Sequence, residues 1–177
     1  MAGDGRRPGA EDRPAAADLH GRRAARIRSD GAPLSELVDR VLAGYAAFNR
    51  GDFDAAIENL DPEMEWVVLD DLPDPGPFRG VEGTRAFWDM WKDTFDEFRA
   101  EVQEYADAGN AVIMIVRMVG RGKDSGVAVD TPSFPMVWTL RDQRVVRMEM
   151  FTSREEALAA VGLPPDTPFE PLQATPR

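Results

Sequence analysis

A chain of 177 residues, 43% of them hydrophobic, has core enough for one domain, and a net charge of −11 is the wrong sign for a phosphate backbone, so nucleic-acid binding by the domain is not expected. No apolar run approaches the roughly 18 residues of a membrane span, and the start lacks the apolar segment of a signal peptide, which makes a cytoplasmic protein the default expectation. There is no cysteine and one histidine, His20, which excludes disulfides, thiol chemistry, histidine-based nucleophilic triads and most zinc sites.

Residues 1–33 carry 7 arginines against 5 acids and few large apolar side chains, whereas the remainder has 14 basic against 27 acidic residues. The first segment cannot bury enough surface to order itself and is expected to be a disordered tail. Arg22, Arg23, Arg26 and Arg28 could touch an acidic partner, but a solvated tail is the plainer reading.

The domain is expected over residues 34–163. Leu34, Leu37, Val38, Val41, Leu42, Tyr45 and Phe48 recur at helical spacing. Gly51 supplies the left-handed residue that stops the helix, and Asp52 caps a short second one carrying Phe53, Ala56, Ile57 and Leu60. After a turn at Asp61-Pro62, Met64, Trp66 and Val68 alternate with Glu65, Val67 and Leu69 as a strand whose inner face continues to Asp70. A proline-rich loop, Asp71 to Pro77, leads through Phe78-Arg79-Gly80 to a third helix over about Glu82 to Glu97. Its stripe of Thr84, Phe87, Trp88, Trp91, Phe95 and Phe98 is strongly aromatic, as a core face is.

Strands follow. Ala100 and Val102 alternate with Arg99, Glu101 and Gln103, and Asp107 to Asn110 turns the chain. Ala111 to Val119 is nearly all apolar, as in a central strand covered on both faces, with Arg117 interrupting it. Gly120 to Gly126 resembles a phosphate loop only faintly; its glycine spacing is wrong and no helix follows, so a hairpin loop is expected. Val127 to Leu140 reads as a long strand bent at Pro132 and Pro135, and Val145 to Phe151 as the last strand. Ser153-Arg154-Glu155-Glu156 is a capping box for a helix ending at Gly162, and residues 164–177 read as a proline-rich tail. Helices early and consecutive strands late give an α+β layout, a curved and mostly antiparallel sheet wrapped around the long helix as a cone with an apolar pocket.

This order, with Tyr45 to Leu60, Phe78-Arg79-Gly80, Trp138 to Asp142 and Glu156-Ala157-Leu158 running into Gly162-Leu163, resembles the nuclear transport factor 2-like superfamily. It is most similar to the SnoaL-like polyketide cyclase and ketosteroid isomerase branches. The resemblance implies a cofactor-independent fold that hosts isomerases, cyclases, dehydratases, epoxide hydrolases and non-enzymes. By resemblance to the isomerases, Tyr45 stands where an oxyanion donor is found and Asp70 or Asp71 where the base is found. The place of their protonated second aspartate holds Pro135 or Met136. The dehydratases work with histidine, which the domain lacks. Of the epoxide-hydrolase triad, Arg117 and Glu149 have counterparts but Val119 breaks it, and Glu149 is the nearest match to the cyclases' single carboxylate.

Each candidate has a plain reading beside the functional one. Asp70 is a general base in an apolar mouth or a solvated loop acid. Tyr45 is a donor or a core ring. Arg117 is a buried guanidinium paired with Glu149 or Asp70, or lies on the outer sheet face; Glu149 is an acid/base or a cross-strand ion partner. Met114, Met118, Met136, Met148 and Met150 are adaptable packing. Asp70, Asp71 and Asp74 could hold a metal, but a solvated turn is favoured, and neither metal nor cofactor is expected. The expected function is binding of a hydrophobic, carbonyl-bearing small molecule among Trp66, Trp88, Trp91, Met136 and Trp138. Proton transfer would fall to Asp70, Tyr45, Glu149 and Arg117; the other class is a non-catalytic ligand-binding or dimerisation module. A homodimer is expected, because apolar residues fall on both faces of the late strands.

Overall fold

The computed structural model describes residues 35–69 and 78–172. The opening helix α1, Glu36–Asn49, starts where the Ser35 hydroxyl accepts from the Val38 N–H (3.3 Å) and buries Leu37, Val38, Val41 and Tyr45. Gly51 adopts φ 76°, and Asp52 then caps α2, Phe53–Ile57, its carboxylate accepting from the Ala55 N–H at 3.1 Å. The strands and remaining helices are β1 Leu60–Val67, β2 Phe78–Arg79, α3 Gly80–Thr94, β3 Phe95–Asp107, β4 Ala111–Gly122, β5 Ala128–Asp130, β6 Phe134–Arg141, β7 Arg144–Met150, α4 Arg154–Ala160 and β8 Glu170–Pro171.

One curved, unclosed sheet runs β2-β1-β7-β6-β4-β3-β8, with β5 added to the end of β4. All its pairings are antiparallel except β1 with β7. The period of two along β4 divides the core. Val112, Met114 and Val116 face α1 and α3, where they meet Met64, Trp66, Phe87 and Trp88. Ala111, Ile113 and Ile115 face the other way, against Ala157 and Leu158 of α4 and Val137 of β6. The apolar outer face that the sequence leaves open for a second copy is thus covered, over these residues, by the chain's own last helix.

The stretch Val127 to Leu140, expected as one bent strand, is two strands, β5 and β6, and three further elements differ from the sequence reading. The third helix stops at Thr94 instead of continuing to Glu97, so Phe95 and Phe98 lie on β3. Glu97, at φ 52°, and a register shift between Asp96 and Arg99 return Phe98 to the side of Phe95. Trp91 stacks on both rings, at 5.5 and 4.9 Å between centroids, so helical spacing and a strand bulge present the same three rings. Second, Asp61 and Pro62 lie within β1 as an irregular stretch between Leu60 and Glu65, not in a separate turn. Third, β8 falls inside the segment read as a tail. Its Glu170 is buried, accepts from the Tyr105 hydroxyl at 2.6 Å, and is followed by Leu172 N–H bonding to Gln103 C=O at 2.8 Å.

Beyond the two residues that β8 covers, β3 is an edge strand. Asn49 closes part of it: its side-chain amide donates to the Ala100 C=O (2.8 Å) and accepts from the Ala100 N–H (2.9 Å), as a neighbouring strand would.

Candidate functional site

Between α1, α3 and the inner sheet face lies a cavity of about 190 Å³ with almost wholly apolar walls. All four tryptophans of the chain, Trp66, Trp88, Trp91 and Trp138, border it. The rows of the sheet explain why. Trp66, Met148, Trp138 and Val112 are successive cross-strand partners on β1, β7, β6 and β4, and Met150, Met136 and Met114 form the next row. Trp66 and Trp138 meet edge to face at 5.8 Å, and Trp88 meets Trp66 at 6.1 Å.

Trp66 is aimed by a chain of hydrogen bonds. Its Nε1–H donates to Thr84 Oγ1 at 2.7 Å, and the Thr84 hydroxyl donates to the Gly80 C=O at 2.9 Å. Gly80 permits this start of α3: at φ 65°, a Cβ there would stand 2.5 Å from the Pro62 carbonyl oxygen.

Tyr45 brings a polar group among these rings, its own ring 5.5 Å from that of Trp138. Its hydroxyl accepts from Trp138 Nε1–H at 3.0 Å and donates to the Met136 thioether at 3.3 Å. A thioether is a weak acceptor, so the phenol proton is held loosely while its oxygen is polarised by the indole. Burial pushes the Tyr45 hydroxyl well above the ordinary phenol range, and the Trp138 bond opposes that only partly. It is therefore a neutral donor at every ordinary pH.

Arg40, Asn59 and Thr131 also border the cavity; none of them was singled out in the sequence. The missed signal for Arg40 was its place on α1, between Leu37 and Gly44 on the face that carries Val41 and Tyr45. Its Nη2 donates to Glu36 Oε1 at 2.8 Å and its Nη1 to the Gln143 C=O. Gln143 (φ 66°) and Asp142 (φ 50°) make the tight β6–β7 turn without glycine, and Arg40 ties that turn to the helix.

The proposed site residues divide. Tyr45, Trp66, Trp88, Trp91, Met136 and Trp138 come together around the cavity. Arg117 and Glu149 do not. Arg117 lies on the outer face, 36% exposed, bonded to Asp130 and within 3.8 Å of Glu101, so the pairing with Glu149 or Asp70 gives way to a partner on the neighbouring strand. Glu149, 30% exposed, pairs with Arg147 at 3.2 Å, and Arg147 in turn reaches Glu65 at 3.1 Å. Alternation decides both cases: Met148 and Met150 take the inner face, so Glu149 takes the outer. Asp70, with Asp71 and Asp74, lies outside the described residues, directly after Leu69 of the cavity wall. Among the described residues no carboxylate borders the cavity and no cluster of acids or histidines is placed to hold a metal ion.

The SnoaL-like domain model matches residues 41–148, more than half of the sequence and all of the cavity-bearing sheet up to β7. The chain belongs to the SnoaL-like domain family. Solved structures agree on the fold. A nuclear transport factor 2-like protein of unknown function from Burkholderia pseudomallei is similar at 21% identity and a TM-score of 0.60, over 72% of this chain and 98% of that one. TerC, co-crystallised with polyporic acid, is similar at 21% identity and 0.59, over 71% and 97%. A protein described as a SnoaL-like polyketide cyclase, from Jannaschia sp. CCS1, is similar at 20% identity and 0.59, over 78% and 99%. No curated protein matches the sequence. In this SnoaL-like chain, no described helix is long and apolar enough to cross a membrane.

Proposed function

We propose that this SnoaL-like protein binds a flat hydrophobic small molecule whose carbonyl oxygen accepts the Tyr45 hydroxyl. One observation carries the reading: in a cavity walled by four tryptophans, the buried Tyr45 hydroxyl is polarised by Trp138 and donates only to a thioether. A carbonyl is a better acceptor than sulfur, so an incoming ligand gains a hydrogen bond at small cost to the protein. The surrounding rings give stacking and apolar burial without charge. A protein of this fold has been co-crystallised with polyporic acid, in keeping with an organic occupant.

The tryptophans report the test. Titration with 2-acetylnaphthalene should quench their fluorescence, and 2-isopropylnaphthalene, of similar shape without the acceptor, should bind more weakly. Tyr45→Phe should erase that preference, a loss of about tenfold for the ketone. Equal affinity of the two compounds for the unaltered protein would reject the reading.

Proton transfer is a second reading, supported by Leu69 lying in the cavity wall one residue before Asp70. Asp70 would serve as base and Tyr45 would steady the oxyanion that forms. Asp70→Asn should then slow turnover of a bound ketone about 10²- to 10⁴-fold while leaving its affinity unchanged. A binding module without catalysis would lose neither.

A further inference from the structure

Among the described residues bordering the cavity, Arg40 is the only formally charged one, and the pairing it has is a weak one. Its side chain is 19% exposed, whereas its carboxylate partner Glu36 is 80% exposed and free to be replaced by water. Its second bond goes to a backbone carbonyl, which carries no compensating charge. A guanidinium has more N–H donors than these two bonds use. Arg40 thus borders an apolar space while its guanidinium is bonded to Glu36 and Gln143, and no carboxylate among the described residues borders that space.

Its position is fixed by three elements. Arg40 precedes Val41, Gly44, Tyr45 and Phe48 along the α1 face that borders the cavity. Its bond to Gln143 places it at the β6–β7 turn, and the adjoining Val145 N–H bonds to the Asn59 C=O at 2.9 Å. Arg40 and Asn59 both border the cavity, together with Gly44 and Ala56.

We propose that Arg40 is a specificity residue that selects ligands bearing an anionic oxygen, a carboxylate or an ionised enol, at the end of a flat apolar body. This deepens the binding reading above and rests on it. The acceptor next to Arg40 forms a charge-assisted hydrogen bond and displaces the exposed Glu36 as partner. The chain as a whole is acidic, so no long-range field draws anions in; the preference comes from this one side chain.

The full chain is titrated with 2-naphthoate and with 2-acetylnaphthalene, a neutral compound of similar outline, following tryptophan fluorescence at pH 7. The naphthoate should bind more tightly. Arg40→Gln should weaken it about tenfold or more and leave the ketone unchanged. Glu36→Gln, at an exposed position that does not threaten folding, should strengthen naphthoate binding about twofold by removing the competing acid. A ketone that binds while the naphthoate does not, or losses equal for both probes in Arg40→Gln, overturns the role of Arg40 and leaves the cavity reading intact. Failure of both probes to bind the unaltered protein overturns the cavity reading itself. If Arg40→Gln does not fold, the Glu36→Gln titration decides: no gain for the naphthoate overturns the proposal.

Discussion

Tyr45 couples binding to stability. Its hydroxyl is the acceptor for Trp138 Nε1–H, so Tyr45→Phe leaves a buried indole donor without a partner. The variant should lose about 1–3 kcal/mol in a denaturant titration, more than removal of an exposed hydroxyl would cost. Gly80 makes the second residue-scale case. Gly80→Ala combines a left-handed backbone with a Cβ 2.5 Å from the Pro62 carbonyl, and Thr84 and Trp66 hang on that same turn. It should cost at least 1–3 kcal/mol and shift the tryptophan emission, whereas an unchanged melting curve would show that α3 can start elsewhere. These residues were only partly legible in the sequence. The aromatic stripe and the β1 alternation announced Trp66, Trp88 and Trp91. The partners Thr84 and Met136 and the place of Arg40 depended on how elements distant in sequence meet. Arg117 and Glu149 drew notice as charges among apolar neighbours; which face they occupy was set by strand register, which pattern alone does not fix when both faces of a strand are apolar.

At the scale of elements, caps and glycines read well and strand edges did not. Asp52 and Ser153 each cap the helix that follows, as expected, and Ser35, which was not singled out, caps α1. At α4 the Ser153 hydroxyl accepts from the Glu156 N–H at 3.2 Å, and the Glu156 carboxylate also reaches the Thr152 hydroxyl at 2.7 Å and the Thr152 N–H at 3.3 Å. The Thr152 hydroxyl bond holds the Glu156 carboxyl below the usual glutamate value. A depressed carboxylate stabilises above its unfolded pKa and ceases to do so as pH falls through its folded pKa. The gap in melting temperature between the native chain and Glu156→Gln should therefore be present near neutral pH and close in acid, below about pH 4.5, the ordinary glutamate value. A gap unchanged at acid pH would contradict this. The β8 strand escaped notice because two residues give no periodicity. It secures the segment through Glu170, Tyr105 and Leu172, so limited proteolysis should leave a fragment reaching past Leu172. Cutting the chain at residue 165 should lower its melting temperature; an unchanged value would make the strand dispensable.

For the whole molecule, the order of elements was legible because helices and strands segregate along the chain, and the SnoaL-like family follows from that order. The homodimer expectation drew on apolar residues facing outward, and α4 covers Ile113, Ile115 and Val137 there. A dimer through this face must use its charged remainder, where Glu65, Arg147 and Glu149 form one group and Glu101, Arg117 and Asp130 another. Such a dimer should dissociate as salt is raised, on a scale set by screening of surface charge. Sedimentation showing a monomer at low salt and micromolar concentration would reject it.

The central claim is that the tryptophan-walled cavity is built to present Tyr45 to a carbonyl. A crystal structure of the protein with 2-acetylnaphthalene tests it most directly. The ring system should lie between Trp66, Trp88, Trp91 and Trp138, with the ketone oxygen about 2.7 Å from Tyr45 Oη in place of the Met136 sulfur and the Trp138 bond retained. A ketone turned away from Tyr45 with the thioether bond intact, or a naphthalene bound outside the cavity, would contradict the account.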